Sequence, residues 1–141
     1  KGIYSALKRG KAAFGPTATA GVRQMTEAWP SEIRLHENGA RLTIQFDDAS
    51  NYDYSAEFLR VESPSAEVQG HSPSERKTIG GKKNVRIKEI APVGNYAIRL
   101  DFDDGHNTGI YSWKYLAELG RDHEAIWGRY VAALAEKGLT R

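Results

Sequence analysis

Histidines, paired aspartates and a run of cations are the residues of this chain that could do chemistry. The aspartates stand as Asp47-Asp48 and Asp103-Asp104. Adjacent carboxylates could share a proton or hold calcium. Turn formation is the simpler account, because an aspartate bonds its own backbone within a turn. The spacing of an EF-hand loop is absent. Ile79-Gly80-Gly81-Lys82-Lys83 puts lysine after glycine without the G-x-x-x-x-G-K-[ST] spacing that cradles a nucleotide phosphate. No G-x-S-x-G elbow occurs. Cysteine is absent, which removes thiolate nucleophiles, thiolate ligands and disulfides. That composition fits a reducing compartment, so a cytoplasmic location is expected. No catalytic residue is assigned.

The cations cluster as Arg76, Lys77, Lys82, Lys83, Arg86 and Lys88, a stretch that could meet nucleic acid or an acidic protein. Charge argues against nucleic acid. The chain carries +2, but residues 1–24 hold five cations and no acid, which leaves −3 for the remainder. No nucleic-acid reader motif is present. No apolar run approaches the roughly 20 residues that cross a bilayer, so no membrane partner is expected. Residues 1–24 are rich in small residues and precede the single methionine, Met25. They read as a basic, flexible extension, with a transit peptide as the functional alternative. Residues 25–141 read as one domain.

Strand and turn signals position these groups. Ile33 and Leu35, then Leu42, Ile44 and Phe46, alternate with polar residues around Asn38-Gly39, a strong hairpin signal. Strands are expected over 31–37 and 40–47. Tyr52 and Tyr54 suggest a return strand, and Ser55 a helix N-cap. Residues 63–83 read as loop. Val85, Ile87 and Ile90 suggest a strand, 92–95 a turn, and Tyr96 to Phe102 another alternating strand. A short strand over 109–112 leads to Ser112, which can cap a helix ended by Gly120. Asp122 is the expected cap of a last helix over 123–137, with Gly138 just beyond its end.

Two of these segments match. Leu42-Thr43-Ile44-Gln45-Phe46-Asp47-Asp48 leads to Tyr54-Ser55 and Phe58-Leu59. Ile98-Arg99-Leu100-Asp101-Phe102-Asp103-Asp104 leads to Tyr111-Ser112 and Tyr115-Leu116. The Phe-Asp-Asp units are 56 residues apart and the Tyr-Ser units 57 apart, so the second turn is one residue longer. The pattern predicts an α+β fold: antiparallel sheet from two pseudo-repeated strand–turn–strand–helix units, helices on one face, and a C-terminal helix.

Phe58-Leu59-Arg60-Val61, Pro92-Val93-Gly94-Asn95-Tyr96, Phe102-Asp103-Asp104-Gly105-His106 and Ile110-Tyr111-Ser112-Trp113 occur in that order. As an ordered set they resemble the gamma-butyrobetaine hydroxylase-like N-terminal domain family over about residues 28 to 120. In that family the domain precedes a hydroxylase catalytic domain or stands alone in bacterial proteins, and related domains are joined to P-loop ATPases carrying iron–sulfur clusters. The resemblance implies a structural zinc ion held by three cysteines, spaced C-x-C-x-x-C, and one histidine. His106 occupies the histidine slot, while the cysteine slots hold Ser63, Ser65 and Val68. Hydroxyls and an isopropyl group do not replace thiolates. His71 could meet His106, and Asp103 or Asp104 could then complete a weak nitrogen–oxygen site for zinc or iron. The plainer expectation is that His106 hydrogen-bonds across a site that has lost its metal. The catalytic domain of the hydroxylases is not matched, since no His-x-Asp or His-x-Glu pair for an iron triad occurs.

The expected function is therefore a non-catalytic accessory domain with no cofactor, binding an unidentified protein partner. The expected surface takes in Asp103, Asp104, His106, Trp113, Arg76, Lys77, Lys82 and Lys83. The alternative is weak metal binding at His71 and His106, linked to iron–sulfur handling. No oligomeric state is implied.

Overall fold

The computed structural model describes residues 2–4, 29–70 and 76–141. Alternating apolar residues become strands because every second side chain can face one core. Strands β2 (Pro30–His36), β3 (Arg41–Phe46) and β4 (Asn51–Ser55) form an antiparallel meander, and β1 (Gly2–Tyr4) pairs with the outer edge of β2. Strands β5 (Ile87–Val93), β6 (Ala97–Phe102) and β7 (Gly109–Ser112) form a second meander. A short 3-10 turn over Glu37–Gly39 joins β2 to β3, and helices α1 (Ala56–Val61), α2 (Ala66–Gln69), α3 (Trp113–Arg121) and α4 (His123–Glu136) complete the described elements. The fold is α+β and the repeated units are its two sheets. Each unit pairs its strands with their sequence neighbours through short turns, then leaves the sheet at a serine that starts a helix.

The units repeat down to single hydrogen bonds. The Phe46 amide donates to the Ser50 carbonyl at 2.9 Å, and the Phe102 amide to the His106 carbonyl at 3.0 Å. Asp48 accepts from the Ser50 amide at 3.0 Å, and Asp104 from the His106 amide at 3.1 Å. Ser55 caps α1 by accepting from the Phe58 amide, and Ser112 caps α3 by accepting from the Tyr115 amide. The paired aspartates are thus turn formers, as their composition predicts. Both sheets carry a register shift at matching places, Pro30/Glu32 and Ile87/Glu89.

One core joins the sheets. Ile33, Leu42, Ile44 and Phe46 meet Ile90, Ile98, Leu100 and Phe102, together with Leu59 of α1 and Leu116 of α3. Tyr54 and Tyr111 are both fully buried. Each hydroxyl donates across to the other unit: Tyr54 to the Leu116 carbonyl and Tyr111 to the Leu59 carbonyl, both at 2.6 Å. Two further tyrosines hold the connection between the units. Tyr115 donates to the Glu62 carbonyl and Tyr130 of α4 to the Ile79 carbonyl, each at 2.6 Å.

Four local expectations are corrected. The segment after Pro64 contains α2, a single turn started by Ser65, whose hydroxyl accepts from the Glu67 amide. Strand β5 continues through Pro92 to Val93. Proline is tolerated there because β5 is an edge strand. Helix α3 runs through Gly120 to Arg121. The glycine serves packing instead of ending the helix, since a Cβ there would lie 2.3 Å from the Tyr52 ring. Asp122 precedes α4 without a side-chain cap bond. Gly138 does follow α4 in a left-handed conformation, φ 69°. Met25, most of the basic extension and His71 lie outside the described residues.

The two acidic turns generate a matched pair of tests. Ala49 (φ 77°) and Gly105 (φ 96°) occupy the same left-handed position. A Cβ on Gly105 would meet nothing within 4 Å, so only backbone strain opposes it. Gly105→Ala is expected to lower unfolding free energy by about 1 kcal/mol, and Ala49→Gly to raise it by a smaller amount. Urea denaturation of both variants measures the pair, and unchanged midpoints would contradict the shared geometry.

Candidate functional site

The second acidic turn carries His106 where the first carries Ser50. Repetition of the turn fixes its backbone, and the longer side chain then reaches the segment that follows α1. Its Nδ1 lies 2.9 Å from Glu67 Oε1, and its Nε2 lies 2.9 Å from Ser63 Oγ. A carboxylate only accepts, so Nδ1 carries the proton, and in the neutral ring Nε2 accepts from the Ser63 hydroxyl. Ser63 Oγ accepts in turn from the Ser65 amide at 3.1 Å. Ser65 Oγ and Thr108 Oγ1 are 2.7 Å apart. The His106 side chain is 2% exposed and that of Glu67 62%. Gly109 is required beside this network, because a Cβ there would lie 2.5 Å from Ser63 Oγ.

Asp104 anchors the turn to two cations. Arg60 Nε donates to it at 2.8 Å and Lys82 Nζ at 2.6 Å. Burial raises the energy of its charge, but the bonds from Lys82, the His106 amide and Arg60 together outweigh that and hold its pKa at about 2. Asp103 instead receives the Arg86 amide at 3.1 Å, which ties the turn to β5. Arg76 bridges Glu62 at 2.9 Å and Gln69 at 2.8 Å. Lys77 and Lys83 are exposed.

The structure brings Ser63, Ser65, Asp104, Lys82 and His106 into one network. Val68, in α2 of the same segment, is buried. Trp113 is not part of the surface: it is 5% exposed, donates to the Asn95 carbonyl at 3.0 Å and stacks edge-on with Trp29. Glu67, Arg60 and Thr108 are network members that sequence reading misses. Their contacts span 39 to 44 residues of chain, and no local pattern announces them.

The donor set does not fit a zinc ion. Both nitrogens of His106 are engaged, two hydroxyls stand where thiolates would be needed, and Val68 offers no donor. Among the described residues no group of three histidine, cysteine or acidic side chains could hold a metal. None of their helices is long and apolar enough to cross a membrane.

Comparison with known proteins agrees with this architecture. A family model described as gamma-butyrobetaine hydroxylase-like, N-terminal, matches residues 33–117. One protein with an NMR solution structure is 45% identical, with a TM-score of 0.70 over 81% of this chain and 90% of its own. A second NMR structure is 42% identical, with a TM-score of 0.71 over 84% of this chain and 88% of its own. A crystal structure from Acidithiobacillus ferrooxidans, of a protein with unknown function in the DUF971 family, is 37% identical. Its TM-score is 0.54, over 64% of this chain and 91% of its own. No curated protein matches.

The network predicts a pH dependence. Burial first, then the Arg60 guanidinium, lowers the His106 pKa below its usual 6.5, against the pull of Glu67 and Asp104. Glu67 is too exposed to prevail. The unfolded chain therefore binds this proton at a higher pH than the folded chain. The stabilisation is fully present above the unfolded pKa and is lost as pH falls below it toward the folded pKa. Urea unfolding from pH 7 to 5 should show stability falling, with a shallower fall in His106→Gln. Ser63→Ala leaves Nε2 without its donor and should cost about 1–3 kcal/mol at pH 7. Equal pH slopes in parent and His106→Gln would contradict the assignment.

Proposed function

The chain belongs to the gamma-butyrobetaine hydroxylase-like N-terminal family, and from that premise we propose that it is a non-catalytic accessory module that docks a protein partner. One observation carries the reading. Where the resemblance implies zinc ligands, hydrogen bonds among Ser63, Ser65, Thr108, Glu67 and His106 close the segment. Ser63, His106 and Glu67 are bonded in the order of a nucleophile, a base and a carboxylate. But Ser63 is fully buried and its Oγ also accepts from the Ser65 amide, so no substrate carbonyl reaches it and the bonds serve to hold the segment. What remains is a segment just after α1 that these bonds hold without a metal.

Rigid loops that display charge are suited to recognition, because little ordering entropy is lost on docking. Lys77 and Lys83 project from this loop region, with Lys82 and Arg76 already committed to Asp104 and Glu62. An acidic protein surface is the complementary partner. The acidic balance of residues 25–141 disfavours nucleic acid, whose binding is driven by phosphate neutralisation. The absence of cysteine suits a cytoplasmic setting.

Affinity capture from the native host, with the parent chain and the Lys77→Glu/Lys83→Glu variant side by side, tests this. A partner recovered by the parent and depleted at least tenfold by the variant is expected. Identical recovery by both would overturn the proposed face. The competing metal reading requires His71, which lies outside the described residues. It predicts about one equivalent of zinc or iron in untagged protein, lost in His106→Ala. The docking reading predicts metal far below one equivalent.

A further inference from the structure

Two further chemistry-bearing residues, Glu57 of α1 and Arg141, pair with each other and not with the residues bonded to His106. Glu57, in the first turn of that helix, is 4% exposed. A buried carboxylate needs a cation and hydrogen bonds to remain charged. Arg141 supplies both: its Nε lies 3.0 Å from Glu57 Oε2 and its Nη2 lies 2.9 Å from Glu57 Oε1. This is the two-pronged geometry that a planar guanidinium makes and an ammonium cannot. The same guanidinium sits 5.4 Å from the centroid of the Trp127 ring, within cation–π range.

The pair does not fill its surroundings. A cleft of about 340 Å³ opens beside it, walled by Ser55, His123 and Trp127 and rimmed by Lys83 and Arg86. The Arg141 side chain remains 45% exposed, whereas the Glu57 side chain is 5% exposed. The carboxylate and the indole belong to α1 and α4, whose positions the core fixes. The guanidinium belongs to the segment beyond Gly138. Two backbone bonds seat that segment: the Leu139 amide donates to Leu134, and the Gly81 amide to the Thr140 carbonyl at 2.8 Å. Gly80 lets the segment lie close, since a Cβ there would be 2.7 Å from the Thr140 carbonyl oxygen.

The geometry points to a guanidinium-binding site: Glu57 and Trp127 form a preformed receptor that Arg141 occupies in cis, and that a guanidino ligand enters when Arg141 withdraws. The receptor half is rigid and buried, and the occupying half is half-exposed and carried on the chain after the last helix. The ligand is a free guanidino compound or an arginine side chain of another polypeptide. Lys83 and Arg86 at the rim favour a ligand that bears an anion next to its guanidinium. The site stands on these contacts and does not depend on the partner reading above.

Titration of the full chain and its Arg141→Ala variant by NMR, following the Trp127 indole resonance, tests the site. The probes are N-acetylarginine, an N-acetyl-Gly-Arg-Gly amide peptide and N-acetyllysine. In Arg141→Ala both arginine probes should bind saturably, and N-acetyllysine at least fivefold more weakly. Stronger binding of N-acetylarginine identifies the free compound as the better fit, and stronger binding of the peptide identifies a polypeptide arginine. The parent should bind about tenfold more weakly or less, because its own arginine competes at a high effective concentration. Glu57→Gln in the Arg141→Ala background should abolish saturation. A well-dispersed Arg141→Ala spectrum with no saturable shift, or binding undiminished by Glu57→Gln, would overturn the proposal. If Arg141→Ala does not fold, the parent carries the test. Saturating N-acetylarginine must displace the Arg141 Nε–H resonance there, and an unmoved resonance would equally overturn it.

Discussion

Two tyrosine hydroxyls, each buried and each bonded to the other unit, are the constraint on which the structure depends. Tyr54 and Tyr111 end matching strands, and Leu59 and Leu116 lie at matching places in the helices that follow. Each sheet by itself is a three-stranded meander with one apolar face, apart from the added edge strand β1. Such a sheet is marginal alone. The exchange of hydrogen bonds sets the faces against each other and defines how far each helix sits from the opposite strand. A buried phenol without an acceptor would be unfavourable, so the two bonds select one docking of the units over other apolar packings.

From that docking the asymmetry of the molecule follows. The halves are equivalent in turn, cap and register, but the chain between them is present only once. It leaves α1, passes His106 of the second unit, and reaches β5 under the hold of Tyr115 and Tyr130. A position filled by Ser50 in the first unit, whose hydroxyl donates to Asp48 of its own turn, is filled by His106 in the second, against Ser63 and Glu67. The candidate site is thus where a repeated scaffold meets an unrepeated connection. The same connection offers Gly80 and Gly81 to the segment carrying Arg141.

Much of the scaffold is legible in the sequence because its causes are local. Period-two alternation, Asn38-Gly39 and the serines before each helix act over a few residues, and repetition doubles the signal. The misreadings share a physical origin. Gly120 has the propensity of a helix breaker, yet its smallness is used by the Tyr52 ring, 68 residues away in sequence. Pro92 has the look of a turn residue, and only the edge position of β5 makes it a strand residue. Helix α2 is four residues long, too short for periodicity to register. At the site, the slots Ser63, Ser65 and His106 could be aligned by resemblance. That Glu67 would be the partner of His106, or that Glu57 would be buried beneath Arg141, depends on tertiary placement that no local pattern encodes.

The central claim, that the reciprocal tyrosine bonds join two units into one cooperative structure, is tested most directly by a double-mutant cycle. Tyr54→Phe, Tyr111→Phe and the double variant would be compared with the parent by urea unfolding monitored through tryptophan fluorescence and circular dichroism. Each single change should cost about 1–3 kcal/mol, with coincident transitions by both probes. The double variant should differ from the sum by about 0.5 kcal/mol or more, because both bonds hold the same docking. Single variants as stable as the parent, or losses that add without coupling, would contradict the account.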